Sequence, residues 1–188
     1  MTTAPVAVEV SRAKSPAGAI RLLLGGRTTR IEGFTNVDLY EGPEVDIRTD
    51  ISDLSMFKDG EVTEMYNSHC LEHFPHVRTL SVLKEWRRVL KNGGKAYIAV
   101  PDFDAMVRIY TKTGLTDWVK NMLYGDQIYD LAFHYAPFTF ASLAKQVIDA
   151  GFSDVKRIKD MPYGLKDCST LVSTIDRTPI SLNIEATA

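Results

Sequence analysis

The chain has 188 residues, 45% hydrophobic and 24% charged, with a formal net charge of −2. That length suits one domain with a sizeable core, and the near balance of charge argues against a large electrostatic footprint for nucleic acid. Two cysteines, Cys70 and Cys168, make no disulfide framework and suit a reducing cytoplasm. No basic start followed by an apolar core marks a signal peptide. No apolar run approaches the ~20 residues that span a bilayer, so no membrane insertion is expected.

Residues 1–19, rich in Ala, Thr, Ser and Pro, read as a loose arm with an edge strand expected at Val6 to Val10. Ile20 to Leu24 is the first firm strand, apolar enough for burial on both faces, and Gly25-Gly26 ends it. Residues 27–33 are too few for a packed helix, so a loop leads to the next strand, Phe34 to Tyr40, which carries Asp38 near its end. Val45 to Ile47 is a brief third strand, followed by Asp50-Ile51-Ser52-Asp53. Val62 to Tyr66 breaks off at Asn67-Ser68-His69. Val77 to Lys91 is amphipathic, with Leu80, Leu83, Trp86 and Leu90 at helical spacing and Lys84, Arg87, Arg88 and Lys91 on the wet face. Gly93-Gly94 stops this helix, and Lys95 to Val100 is a strand ended by Pro101. Strand, crossover helix and strand make a βαβ unit, the building block of parallel sheets.

Further on, Phe103 to Lys112 and Thr116 to Tyr124 are helical by pattern. Residues 125–138 are irregular and aromatic. Thr139 caps a helix running to Ala150, with Leu143, Val147 and Ile148 inward. Phe152 to Ile158 is a strand, Met161 to Asp167 a loop and Thr170 to Ile175 a last strand. Residues 20–176 thus form a single α/β domain, and residues 177–188 read as a frayed tail.

Ligands of parallel sheets bind beyond the carboxyl ends of the strands, which makes two loops suspect, 67–76 and 101–104, and four places carry candidate chemistry. Glycines after the first strand, Gly25 and Gly26, let a ligand approach the backbone, although a tight turn needs them equally. Neither a P-loop nor a complete dinucleotide fingerprint is present. Asp38 is placed to accept hydrogen bonds from both hydroxyls of a ribose, or to sit solvated at a strand end. His69-Cys70-Leu71-Glu72-His73 matches the H-x-x-E-H signature of inverted zincins, a zinc-hydrolase reading. It lacks a downstream glutamate ligand and sits at a strand end. The rival reading lines a ligand with Asn67, Ser68 and His69 and leaves Glu72 and His73 structural. His134, among aromatic residues that suit a pocket wall, titrates near neutrality and suits a general base or a loop histidine with no part in catalysis.

Together these elements resemble the class I S-adenosylmethionine-dependent methyltransferases, and more closely a compact bacterial branch with a short loop after the first strand. The resemblance rests on Leu22-Leu23-Leu24-Gly25-Gly26, Gly33-Phe34-Thr35-Asn36-Val37-Asp38, Asp50-Ile51-Ser52-Asp53-Leu54 and His69-Cys70-Leu71-Glu72-His73. Arg88-Val89-Leu90-Lys91-Asn92-Gly93-Gly94, Val100-Pro101-Asp102 and the segment from His134 to Phe152 complete it.

The resemblance implies a three-layer Rossmann-like methyltransferase fold. Its mostly parallel seven-stranded sheet runs in the order 3-2-1-4-5-7-6, with strand 7, expected at Thr170 to Ile175, antiparallel. It implies S-adenosylmethionine as cofactor, with Gly25 and Gly26 at the methionine part and Asp38 on the ribose. Asp50 and Ile51 would hold the adenine, and Asn67, Ser68 and His69 the methionine side. Arg27 stands where the last glycine of the first motif belongs, either clashing with the cofactor or clamping its carboxylate.

The expected activity is methyl transfer to a small-molecule, sugar-like or glycan acceptor, at a hydroxyl. His134 is the expected base, Asp102 and His69 are the alternatives, and methyl transfer requires no metal. The rival reading, motivated by Arg27 and the shortened first loop, is an inactive methyltransferase-like scaffold.

Overall fold

The structure, a computed structural model, describes residues 18–174 and 176–188. The expected edge strand at Val6 to Val10, and nearly all of the 1–19 arm, lie outside the described residues. The strands are β1 (Ile20–Leu24), β2 (Thr35–Asp38), β3 (Ile47–Arg48), β4 (Val62–Ser68), β5 (Leu90–Pro101), β6 (Asp154–Ile158) and β7 (Ser181–Thr187). The α-helices are α1 (Thr79–Val89), α2 (Phe103–Thr113), α3 (Asp117–Tyr124) and α4 (Phe140–Asp149). The sheet order is β3-β2-β1-β4-β5-β7-β6, as expected. β1 to β5 run parallel, and β7 runs antiparallel to both of its neighbours.

One face of the sheet is covered by α1 and α4. Val82, Leu83, Trp86 and Val89 of α1 and Leu143 and Val147 of α4 pack with Leu22, Leu24, Leu182 and Ile184 of the strands. Trp86 is fully buried, and its indole N–H donates to the Ile51 carbonyl at 2.8 Å, which ties α1 to the loop after β3. Ile31, Phe34 and Met161, from connecting segments, cover Leu23, Tyr66 and Ala99 on the opposite face. Helices α2 and α3 pack on each other and on Ile180. The caps follow the sequence: Asp102 starts α2, Thr116 starts α3, and Thr139 with Ser142 forms a capping box on α4.

Three expectations need correction. The last strand lies at Ser181–Thr187, inside the segment expected to be a frayed tail. Of the strand expected at 170–175, Thr170 closes a 3-10 turn that begins at Cys168, Leu171 is exposed, and Val172 makes an isolated bridge to Pro179; Ile175 lies outside the described residues. The pairing decides it: residues 181–187 run along β5 from Pro101 to Lys95 and along β6, which satisfies both edges of the strand and buries Leu182, Ile184 and Ala186 completely.

Secondly, Ile148 points outward, because Leu143 and Val147 already fill the stripe of α4 that meets the sheet. Thirdly, Gly93-Gly94 does not stop α1: the helix ends at Val89, and both glycines lie inside β5. Arg88, partly exposed on the wet face, is also paired. Its guanidinium meets both oxygens of Glu85 at 2.7 and 2.8 Å and donates to the carbonyls of Leu54 and Phe57, fastening the β3–β4 connection to α1.

Candidate functional site

A cleft of about 380 Å³ opens at the carboxyl ends of the parallel strands. Gly25 and Arg27 follow β1 into it, Asp38 and Tyr40 come from the end of β2, Asp50 and Ile51 from the loop after β3, and His69 and His73 from beyond β4. This is where a doubly wound sheet offers ligands its strand ends.

The turn after β1 is steep. Gly25 holds φ +76°, and a Cβ there would lie 2.2 Å from Cys70 Sγ, so the fold itself demands glycine regardless of any ligand. Burial pushes the Cys70 thiol up, so it stays protonated and packs rather than reacts. Gly26 is not a cleft-lining residue. Arg27 has a left-handed backbone (φ 25°), and its guanidinium lies 5.0 Å from the centre of the Tyr40 ring. Arg27 is one of the residues that line the cleft.

Asp38 is 7% exposed and faces the cleft. Its Oδ2 accepts from the Arg27 amide at 3.0 Å and its Oδ1 from the Tyr40 amide at 2.8 Å. A carboxylate has about four lone-pair sites, so each oxygen retains acceptor capacity while the two amides fix its plane. Ile51 and Asp50 are also brought to this end, Asp50 with its Oδ1 accepting from the Ser52 amide.

Beyond β4 the expected residues separate. Asn67 is buried beneath the cleft, its side-chain amide donating to the Leu24 carbonyl at 3.0 Å and its Oδ1 without a partner. Ser68 is not among the lining residues. His69 does line the cleft, on a left-handed backbone (φ 54°), a conformation that costs ~1 kcal/mol or more and clusters at functional sites. Its Nε2 is 2.8 Å from Ser181 Oγ, and that hydroxyl donates its proton to the Cys168 carbonyl at 2.6 Å. His69 Nε2 must therefore be the donor. Its Nδ1 lies 3.3 Å from Glu72 Oε1.

Glu72 is 1% exposed. Burial opposes its ionisation, but His69, helped by His73 and His134, outweighs burial and holds the carboxyl below its usual range. The inverted-zincin arrangement is absent: His69 points to Ser181, and only Leu71–His73 is helical, as a 3-10 turn.

His134 is half-buried outside the cleft lining, with Nδ1 donating to the Met122 carbonyl at 2.9 Å. Burial lowers its pKa, which favours the neutral ring. His73, read in the sequence as structural, lines the cleft and donates from Nδ1 to the Phe133 carbonyl at 2.9 Å. The two rings meet edge to face at 4.9 Å. Asp102 serves the fold instead of the cleft, being fully buried, capping α2 and pairing with Arg157 at 2.5 Å. Phe74, Pro75, Arg78, Tyr129 and Leu131 also line the cleft. Of these, Phe74 and Pro75 belong to the suspect loop 67–76 and Tyr129 to the aromatic segment 125–138, while Arg78 and Leu131 were not singled out.

Residues 29–98 match a family model described as a methyltransferase domain. Among solved structures, the chain resembles an S-adenosylmethionine-dependent methyltransferase from Archaeoglobus fulgidus, at 18% identity and TM-score 0.58, covering 91% of this chain and 87% of that one. A second, from Methanosarcina mazei, has 18% identity and TM-score 0.57 over 89% of this chain and 91% of that one. A third is the 1,6-didemethyltoxoflavin-N1-methyltransferase of Burkholderia thailandensis, solved with 1,6-didemethyltoxoflavin and S-adenosylhomocysteine, at 17% identity and TM-score 0.55 over 90% and 71%. No match was found among curated proteins.

Proposed function

We propose that this chain, which carries a matched methyltransferase domain and shares the fold of S-adenosylmethionine-dependent methyltransferases, is a class I enzyme of that kind and methylates a hydroxyl of a small-molecule or sugar-like acceptor. The observation that carries the placement of the cofactor is Asp38: a carboxylate oriented by two backbone amides, with acceptor capacity left over, at the strand end that borders the cleft. It fits the paired hydroxyls of a ribose. Asp50 and Ile51 would flank the adenine, and Gly25 and His69 the methionine end. When bound, the cofactor supplies a methyl group on a sulfonium, which is electrophilic without further activation. Arg27, which lines the cleft with its guanidinium over the Tyr40 ring, supports a charged contact to the cofactor.

The protein's own contribution is alignment, worth several kcal/mol, and removal of the acceptor proton. Both nitrogens of His69 and both oxygens of Asp102 are engaged within the fold, which counts against either as the base. The Nε2 atoms of His73 and His134 have no hydrogen-bond partner among the described residues, and burial keeps His134 neutral and able to accept a proton. The test is calorimetry with S-adenosylmethionine and S-adenosylhomocysteine, followed by detection of S-adenosylhomocysteine release with a panel of hydroxylated acceptors. Saturable binding and acceptor-dependent release support the proposal. Absence of binding to either ligand overturns it, and full turnover by His134→Ala removes that residue from the base role.

A further inference from the structure

The buried carboxylate behind the cleft lacks the hydrogen bonds that burial normally demands. Neither Glu72 oxygen has a hydrogen-bond partner among the described residues, although the side chain is almost wholly enclosed. Such a group is costly unless something pairs with it, and the His69 Nδ1 that approaches to 3.3 Å lies against Oε1 alone. Two histidines face the same point: Glu72, His73 and His134 each offer a ligand atom within 4.8 Å of the other two. Both rings are oriented in the same way, with Nδ1–H donated to a backbone carbonyl, Phe133 for His73 and Met122 for His134. That contact fixes the tautomer, turns Nε2 into a lone-pair donor and raises its basicity, which is how metal-binding imidazoles are held.

We infer that Glu72, His73 and His134 bind a divalent transition-metal ion of the zinc type. Two imidazole nitrogens and one carboxylate oxygen suit such an ion and leave a position for water or a ligand atom. Bonds of ~2.0–2.1 Å put tetrahedral ligands ~3.3 Å apart, so the three side chains close by rotation about their ends. The ion would join the turn after β4, which carries Glu72 and His73, to segment 125–138, which carries His134 and supplies Tyr129 and Leu131 to the cleft wall. It would also occupy the lone pair that a base role for His134 needs, so in any one molecule the two roles exclude each other. Metal binding by these three side chains rests on their geometry and does not depend on methyl transfer.

The experiment uses the full chain, stripped with a chelator, in a Cys168→Ser background that removes the exposed thiol as a rival ligand. Co²⁺ is titrated while its visible d–d absorption is recorded, and Zn²⁺ is then added as competitor. One equivalent of Co²⁺ should bind in a low-symmetry site and be displaced by Zn²⁺. His73→Ala and His134→Ala should each weaken binding by a hundredfold or more, and Glu72→Gln by tenfold or more. Should an alanine variant fail to fold, His134→Gln is read in its place. Absence of binding overturns the inference, as does binding that survives both histidine substitutions, which would mark an adventitious ion only.

Discussion

Replacing Asp38 by alanine removes the acceptor on which the proposed ribose contact depends. The side chain is oriented by the Arg27 and Tyr40 amides, one on each oxygen, so the carboxylate need not reorganise to receive a ligand. A hydrogen bond to a charged group contributes ~1.5–3 kcal/mol. Two ribose hydroxyls, discounted for competition with water and for their shared carboxylate, give roughly 2–4 kcal/mol. At 1.4 kcal/mol per tenfold, Kd for S-adenosylhomocysteine should rise about thirty- to a thousandfold.

The substitution also leaves two amides without their acceptor. Because the cleft is open to water, that should cost only ~1 kcal/mol of stability, which thermal melting measures separately. Calorimetry with adenosine and 2′,3′-dideoxyadenosine isolates the contact: the parent protein should discriminate strongly between them, and Asp38→Ala should hardly discriminate at all. If the parent binds both nucleosides alike, or if the folded variant binds S-adenosylhomocysteine within about threefold of the parent, the ribose assignment is refuted.

Ile184→Ala, in a strand paired on both sides, should lower unfolding free energy by ~2–5 kcal/mol in urea titration; a loss below ~0.5 kcal/mol would fit a frayed tail instead. Gly25→Ala should be destabilising through both its left-handed backbone and the contact with Cys70, and Gly25→Ala combined with Cys70→Ala should recover part of that loss. Strict additivity in denaturant titration would show that Cys70 is not the obstacle. Arg88 holds the carboxyl of Glu85 below its usual range, so this group's contribution is present above the unfolded-state pKa of ~4.3 and is lost as pH falls through the lower folded value. Glu85→Gln should therefore lower Tm at pH 7 and converge with the parent in strong acid; a Tm gap that does not change with pH would contradict the ion pair as its source.

What was legible in the sequence was what neighbouring residues decide. The βαβ unit, the cap at Thr139, the loop in place of a helix after β1, and the placing of Asp38 at a strand end all follow from spacing of a few residues. The strand order came from the resemblance carried by those motifs. Distant pairing decided the rest. Residues 170–175 and 181–187 both contain strand-forming side chains, and only the available edges of β5 and β6 select the second.

The histidines show the same division. Their titration range and the motif that holds two of them were apparent locally. Yet His69 turns to Ser181, while His73 and His134 turn their Nδ1 protons to carbonyls and gather around Glu72. A sequence lists which donors and acceptors a chain owns. Which of them are already satisfied, and which are left to bind something else, depends on atoms brought within ~3 Å by the fold.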